Sequence, residues 1–261
     1  MSRSIKSYIN AILLVITLII NFMGAIGLIN GNSQKEVSDQ YFTLITPAPI
    51  TFSIWSVIYS LLIISIIVMI VKKNDPYYQK AVDEISVLFW ISCILNIAWI
   101  ISFSYVKIGL SVIFILGLLI TLLLILQRVS KIHDGKRRHF LLPLTFGLYA
   151  GWIFIATIVN IAAWLVKIGW NGFGIPHMIW AISILIIAVS LVYMILSANK
   201  NAVFPLPVAW AYFGIYLSLK SLNFSGEYDL LKIVALAGMV VLIAMAAIQF
   251  YRNGFAILPR D

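Results

Sequence analysis

Eight stretches of about twenty residues run through this chain with no Asp, Glu, Lys or Arg in their interiors. They are Ile9 to Ile29, Phe52 to Val71, Ile85 to Val106, Ile108 to Leu126, Phe140 to Val166, Pro176 to Leu196, Val203 to Leu219 and Leu230 to Tyr251. Hydrocarbon offers backbone N–H and C=O groups no partners, so a segment that crosses a bilayer must satisfy them internally, as a helix. Composition agrees: 62% of residues are hydrophobic and 10% charged, against an apolar share of roughly 45–50% in soluble domains. The expected fold is all-α, a polytopic membrane helix bundle with about eight transmembrane helices.

Arg3 and Lys6 precede the first run as they would in a secretory signal, but its apolar core exceeds the ~7–15 residues of a signal h-region, and a retained helix is expected. The single cysteine, Cys93, lies inside the third run, which rules out an internal disulfide and weighs against a Cys-based metal site. Basic residues set the orientation, because short Lys- and Arg-rich loops stay on the cytoplasmic side. Arg3, Lys6, Lys72, Lys73, Lys80, Arg128, Lys131, Lys136, Arg137, Arg138, Lys200, Arg252 and Arg260 fall on one side. Lys35, Lys107, Lys167, Lys220 and Lys232 fall on the other. The expectation is an integral, multi-pass protein of the plasma (inner) membrane with both termini cytoplasmic. The net charge of +9 then belongs mostly to loops facing anionic headgroups, so no nucleic-acid partner is expected. KIHDGKRRH, with His133 and His139, could hold a metal or a phospholipid head, although a solvated positive loop accounts for it as well.

The polar and aromatic residues inside the runs are more selective. TPAPITFSIWSVIYS, residues 46 to 60, places Trp55 and Tyr59 one turn apart at the start of the second run, behind two prolines. In the third run Phe89, Asn96, Trp99 and Phe103 share a helical stripe; in the fifth, Tyr149, Trp152, Ala156 and Asn160 do. Asn96 and Asn160 lie ~15 and ~9 Å from the outer ends of their helices at 1.5 Å per residue. Polar side chains in lipid usually face the bundle, so three helices can converge on an aromatic, weakly polar pocket. Intramembrane Asn is equally suited to plain interhelical hydrogen bonding, and Trp164, Trp170 and Tyr105 suit an interfacial belt. Trp152, ~20 Å from the outer turn, is too deep for such a belt.

FSIWSVIY at 52–59, LNIAW at 95–99 and WIFIATIVNIAAW at 152–164 resemble three signatures of the tryptophan-rich sensory protein family, the TspO and translocator proteins. The resemblance covers about residues 5–170. It implies a TspO-like five-helix bundle over 1–170, followed by three additional transmembrane helices over 171–261. It also implies a pocket for porphyrins or other hydrophobic aromatic molecules, with Trp55, Asn96, Trp99, Trp152, Ala156 and Asn160 matching conserved or ligand-lining positions. Tyr59 joins this set from the W-x-x-x-Y spacing. Porphyrin or haem enters as a ligand, and no cofactor is required.

Two departures stand out: Ile50 and Thr51 follow Pro49 where the family usually carries an aromatic, and WLVKIGW lacks the Tyr of the sterol-contact pattern. The last three helices could cover one side of the bundle or form a homo-oligomeric face. His177 could ligate a haem iron, or simply face headgroups; Lys220 could meet a propionate, or snorkel. The sequence thus points to a membrane receptor, carrier or sensor whose partners are lipid and a porphyrin-like ligand. The alternatives are a light-dependent porphyrin-degrading enzyme or a transporter of another small solute. The chain has no HExxH, GxSxG or paired intramembrane carboxylates to support ordinary catalysis.

Overall fold

The computed structural model describes residues 1–132, 139–221 and 228–259. Lys136, Arg137, Arg138, Arg260 and the metal or headgroup reading of His133 lie outside these residues; His139 is described, and stacks on Tyr77. The helices are α1 (Arg3–Ala25), α2 (Gln34–Gln40), α3 (Ile54–Val71), α4 (Pro76–Ser104), α5 (Ile108–Val129), α6 (Leu141–Lys167), α7 (His177–Asn199), α8 (Pro205–Leu219) and α9 (Asp229–Arg252). Each of the eight apolar runs is a helix, and α2 is an addition that lies between the first two. Among the described residues, seven helices are long and apolar enough to cross a membrane. The exception is α8, whose 15 residues rise only ~22 Å, short of the ~30 Å hydrocarbon core.

Local chemistry fixes the ends. Ser2 caps α1, and Asp75 caps α4 by accepting the Tyr77 N–H at 2.9 Å, with Pro76 in the first turn where a missing N–H costs nothing. Ser33 and Glu36 form a reciprocal capping box on α2, and the Ser33 backbone N–H on Glu36 Oε2, with the Ser33 side chain beside it, holds the Glu36 carboxyl below its ordinary value.

Helices α1, α4, α5, α6 and α3 close into a ring, each packed on the next. Outside it, α8 lies against α6, α9 against α8, and α7 against α9. The buried stripe of α1 is Ser7, Asn10, Leu14, Thr17, Asn21 and Gly24. A soluble helix would turn such a stripe outward, but here the better solvent for Ile12, Ile19 and Phe22 is lipid, and the amides find partners inside. Asn10 donates to Ser86 Oγ at 3.0 Å and accepts from Trp90 Nε1 at 2.6 Å, which fixes α1 on α4.

The contact of α8 with α6 depends on missing side chains. Gly147 and Gly151, four residues apart on one face of α6, leave room for the turn before α8. Buried Asn201 occupies that space: its Nδ2 donates to the Pro143 carbonyl at 2.9 Å, and its Oδ1 accepts the Val203 and Phe204 N–H groups. The start of α1, the start of α4, the start of α6, the α7–α8 turn and the end of α9 share one end of the bundle, the basic face: Arg3 and Lys6 meet Asp83, His139 stacks on Tyr77, Asn201 bonds Pro143 and Asn253 bonds the Lys200 carbonyl. The opposite end, carrying α2 and the turn at Pro49–Ser53, is the lid face.

Candidate functional site

At the lid face the ring holds a narrow cleft of about 60 Å³, walled by α3, α4 and α6 and roofed by α2, the Pro47–Phe52 segment and α8. The roof segment follows from its prolines. Pro49 begins a 3₁₀ turn, and the carbonyl of Ala48 accepts the Thr51 N–H at 3.0 Å and the Thr51 hydroxyl as well. Thr51 is fully buried, because the turn is pinned to α8. The Ala48 N–H donates to the Gly214 carbonyl at 2.9 Å, and Trp210 Nε1 donates to the Thr51 carbonyl at 3.0 Å. Gly214 permits this approach, since a Cβ there would collide with the Thr51 methyl.

Five of the residues expected at the site meet on the cleft wall: Trp55, Trp99, Trp152, Ala156 and Asn160. Trp55 is the centre of the cluster. Its ring lies 6.2 Å from Trp152 in an edge contact, 6.3 Å from Trp99 and 5.0 Å from Tyr59, with which it stacks. Tyr59 and Asn96 are not on the wall. They form a buried polar chain beneath it: Tyr59 Oη donates to Asn21 Oδ1 at 2.6 Å, Asn21 Nδ2 donates to Asn96 Oδ1 at 2.6 Å, and Asn96 Nδ2 donates to Tyr149 Oη at 3.1 Å. The two asparagines therefore differ. Asn96 binds helices together, whereas Asn160 lines the cleft while accepting from Trp99 Nε1 at 2.9 Å and bonding Ser111.

Trp152 stands apart. Only 2% of it is exposed, and its indole N–H has no hydrogen-bond partner among the described residues. A buried donor left unpaired costs ~1–3 kcal/mol, so this residue, which also lines the cleft, carries an unmet hydrogen bond.

Sequence reasoning missed several parts of the site. The departure at Ile50 and Thr51 is offset one residue later, where Phe52 sets its ring edge-on to Trp152 at 6.0 Å. Gln34 and Ser38 of α2 line the roof; the capping-box spacing of SQKE was their available signal. Ala211 of α8 completes the wall from outside the ring, and nothing local marks it. His177 is exposed at the start of α7 and is not among the lining residues, and neither is Lys220, which sits 6.0 Å from the Tyr216 ring centroid. Cys93 is buried and free, away from the wall.

Among proteins already characterised, no curated protein and no solved structure matches this chain. A family model described as TSPO-like protein matches residues 7–248, a span that runs from α1 through most of α9.

Proposed function

Because this chain belongs to the TSPO-like protein family, which gives it a membrane receptor- or transporter-type role, we propose that it binds a flat, hydrophobic aromatic ligand, a porphyrin foremost, in the lid-face cleft. The observation that carries this reading is the unpartnered indole N–H of Trp152 within a cluster of three tryptophans. The rings offer π-faces, and the N–H asks for an acceptor such as a carboxylate or a ring nitrogen. At about 60 Å³ the cleft is far smaller than the ~300 Å³ of a ligand pocket. Binding therefore requires the lid turn to lift from its seat.

The test is a Trp-quenching and absorbance titration of the purified protein with a porphyrin panel, in the dark. A stacked ring contributes ~0.5–1.5 kcal/mol beyond its area, so Trp152→Leu should weaken binding about threefold to tenfold. Unchanged affinity in both Trp152→Leu and Trp55→Leu would place the ligand elsewhere. Loss of porphyrin under illumination alone would favour the degrading enzyme instead.

The lining residues do not suit a metal centre. Iron adds affinity where an axial donor can reach it, and the wall is built of Trp, Phe, Pro, Ala, Ile, Val, Asn, Gln and Ser. Free-base and iron porphyrins should therefore bind within about twofold of each other on this donor logic. An iron preference of tenfold or more that disappears in His177→Ala would overturn this and make His177 a ligand.

A further inference from the structure

A second cavity, larger than the cleft and at the other end of the bundle, opens on the basic face. It measures about 370 Å³ and lies between the first two turns of α1, the end of α3 and the start of α4. Its floor is apolar: Met69 and Val82, each 2% exposed, with Ile70 and the buried ring of Tyr78. Its rim is polar and basic, with Arg3, Lys73, Asn74 and Gln79.

The rim cations are not equivalent. Arg3 is held in place, its Nε donating to Asp83 Oδ2 at 2.6 Å and its Nη1 to Gln79 Oε1 at 3.0 Å. A guanidinium has five N–H donors, so this anchoring leaves Arg3 with donors to offer. Lys6 shares Asp83 at 2.9 Å, which offsets part of the local positive charge. Lys73 makes no ion pair among the described residues, and its ammonium is free to swing over the opening.

We propose that this crevice binds an anionic glycerophospholipid, with Arg3 and Lys73 on the phosphodiester and an acyl chain along Met69, Ile70 and Val82. Charge complementarity selects the head, since basic pockets between membrane helices attract anionic headgroups. The floor selects the tail: a free phosphate would use the rim alone and leave the half-buried Ile70 and the exposed Tyr8 ring wet. Position supports both, because the crevice lies at the ends of the apolar helices α1, α3 and α4. The inference is independent of the porphyrin reading, which concerns the opposite end of the bundle.

Native mass spectrometry of the full chain in detergent, titrated with dioleoyl phosphatidylglycerol and with dioleoyl phosphatidylcholine, tests it. Wild type should prefer the anionic lipid at least fivefold. Lys73→Ala should remove most of that preference, while Lys131→Ala, an exposed lysine on the same face, should leave it intact. Ile70→Trp fills the floor without touching a charge, and should weaken both lipids together. Equal affinity for the two lipids in wild type would overturn the proposal, as would equal losses in Lys73→Ala and Lys131→Ala, which would mean diffuse attraction. Displacement of phosphatidylglycerol by millimolar inorganic phosphate would also overturn it, in favour of a free phosphate ligand. The apparent Tm and elution profile of the same variants in detergent, expected to match wild type, show that each is folded.

Discussion

Gly151→Val is expected to cost this protein its native packing, and to do so from a position that touches neither cavity. A Cβ at Gly151 would collide with the carbonyl oxygen of Phe204 and lie 3.2 Å from Pro207 Cδ and Cγ. The obstructing oxygen is backbone and cannot rotate away, so the whole turn before α8 would have to retreat. Overpacking typically costs ~1–3 kcal/mol, and a rigid obstacle puts this case at the top of that range. The seam has little slack, because Asn201 bonds Pro143 and two N–H groups from the space beside Gly147. The measurement is the apparent Tm and the elution profile in detergent, where a fall of roughly 10 °C or loss of the monodisperse peak is expected, at ~2–4 °C per kcal/mol. Gly117→Ala is the contrast: its Cβ meets only the mobile end of Leu95 at 3.3 Å, and it should change the Tm little. Equal effects from the two substitutions would mean that the α6–α8 seam is not a tight fit.

Asn96→Leu should lower stability without altering ligand affinity in the protein that remains folded. Leucine has the same branched skeleton with bulkier ends, and it leaves one Asn21 amide bond and the Tyr149 hydroxyl without their partner. Two buried polar groups at ~1–3 kcal/mol each set an upper range, and the weaker coupling of hydrogen bonds in membranes brings the expected loss to ~2–3 kcal/mol. Asn21 still donates to the Thr17 carbonyl at 2.8 Å, which limits the damage. Thermal unfolding and porphyrin titration of one preparation check both halves. An unchanged Tm with a tenfold loss of affinity would move Asn96 from the frame to the wall.

Much of this was legible from one-dimensional patterns. Uncharged runs of about twenty residues marked the eight helices, since nothing but a helix can present them to lipid. The two helical stripes carry Trp99, Trp152 and Asn160, and all three line the cleft. The polar stripe of α1 was equally readable, at residues 7, 10, 14, 17, 21 and 24, but its meaning reverses in lipid. Without it, Asn96 and Asn160 looked alike; their partners separate them. The GLYAG spacing at 147–151 advertised a close approach, yet a small-residue face does not name its partner. The docking of α8 on the lid turn was beyond reach for the same reason, as it joins residues more than 150 positions apart.

That docking changes what the ligand competes with. On the proposed reading a porphyrin does not fit a cleft of about 60 Å³ beneath a seated lid, and lifting the lid would break the Ala48–Gly214 and Trp210–Thr51 hydrogen bonds. The seated lid is thus an internal rival for the same space, and the apparent dissociation constant is the intrinsic one divided by the fraction of molecules whose lid is lifted. Changes at the cleft wall and at the α8 seam then act in opposite directions. On that reading, trimming the wall would weaken binding and loosening the seat of the lid on α8 would strengthen it, because a helix outside the ring holds the lid down.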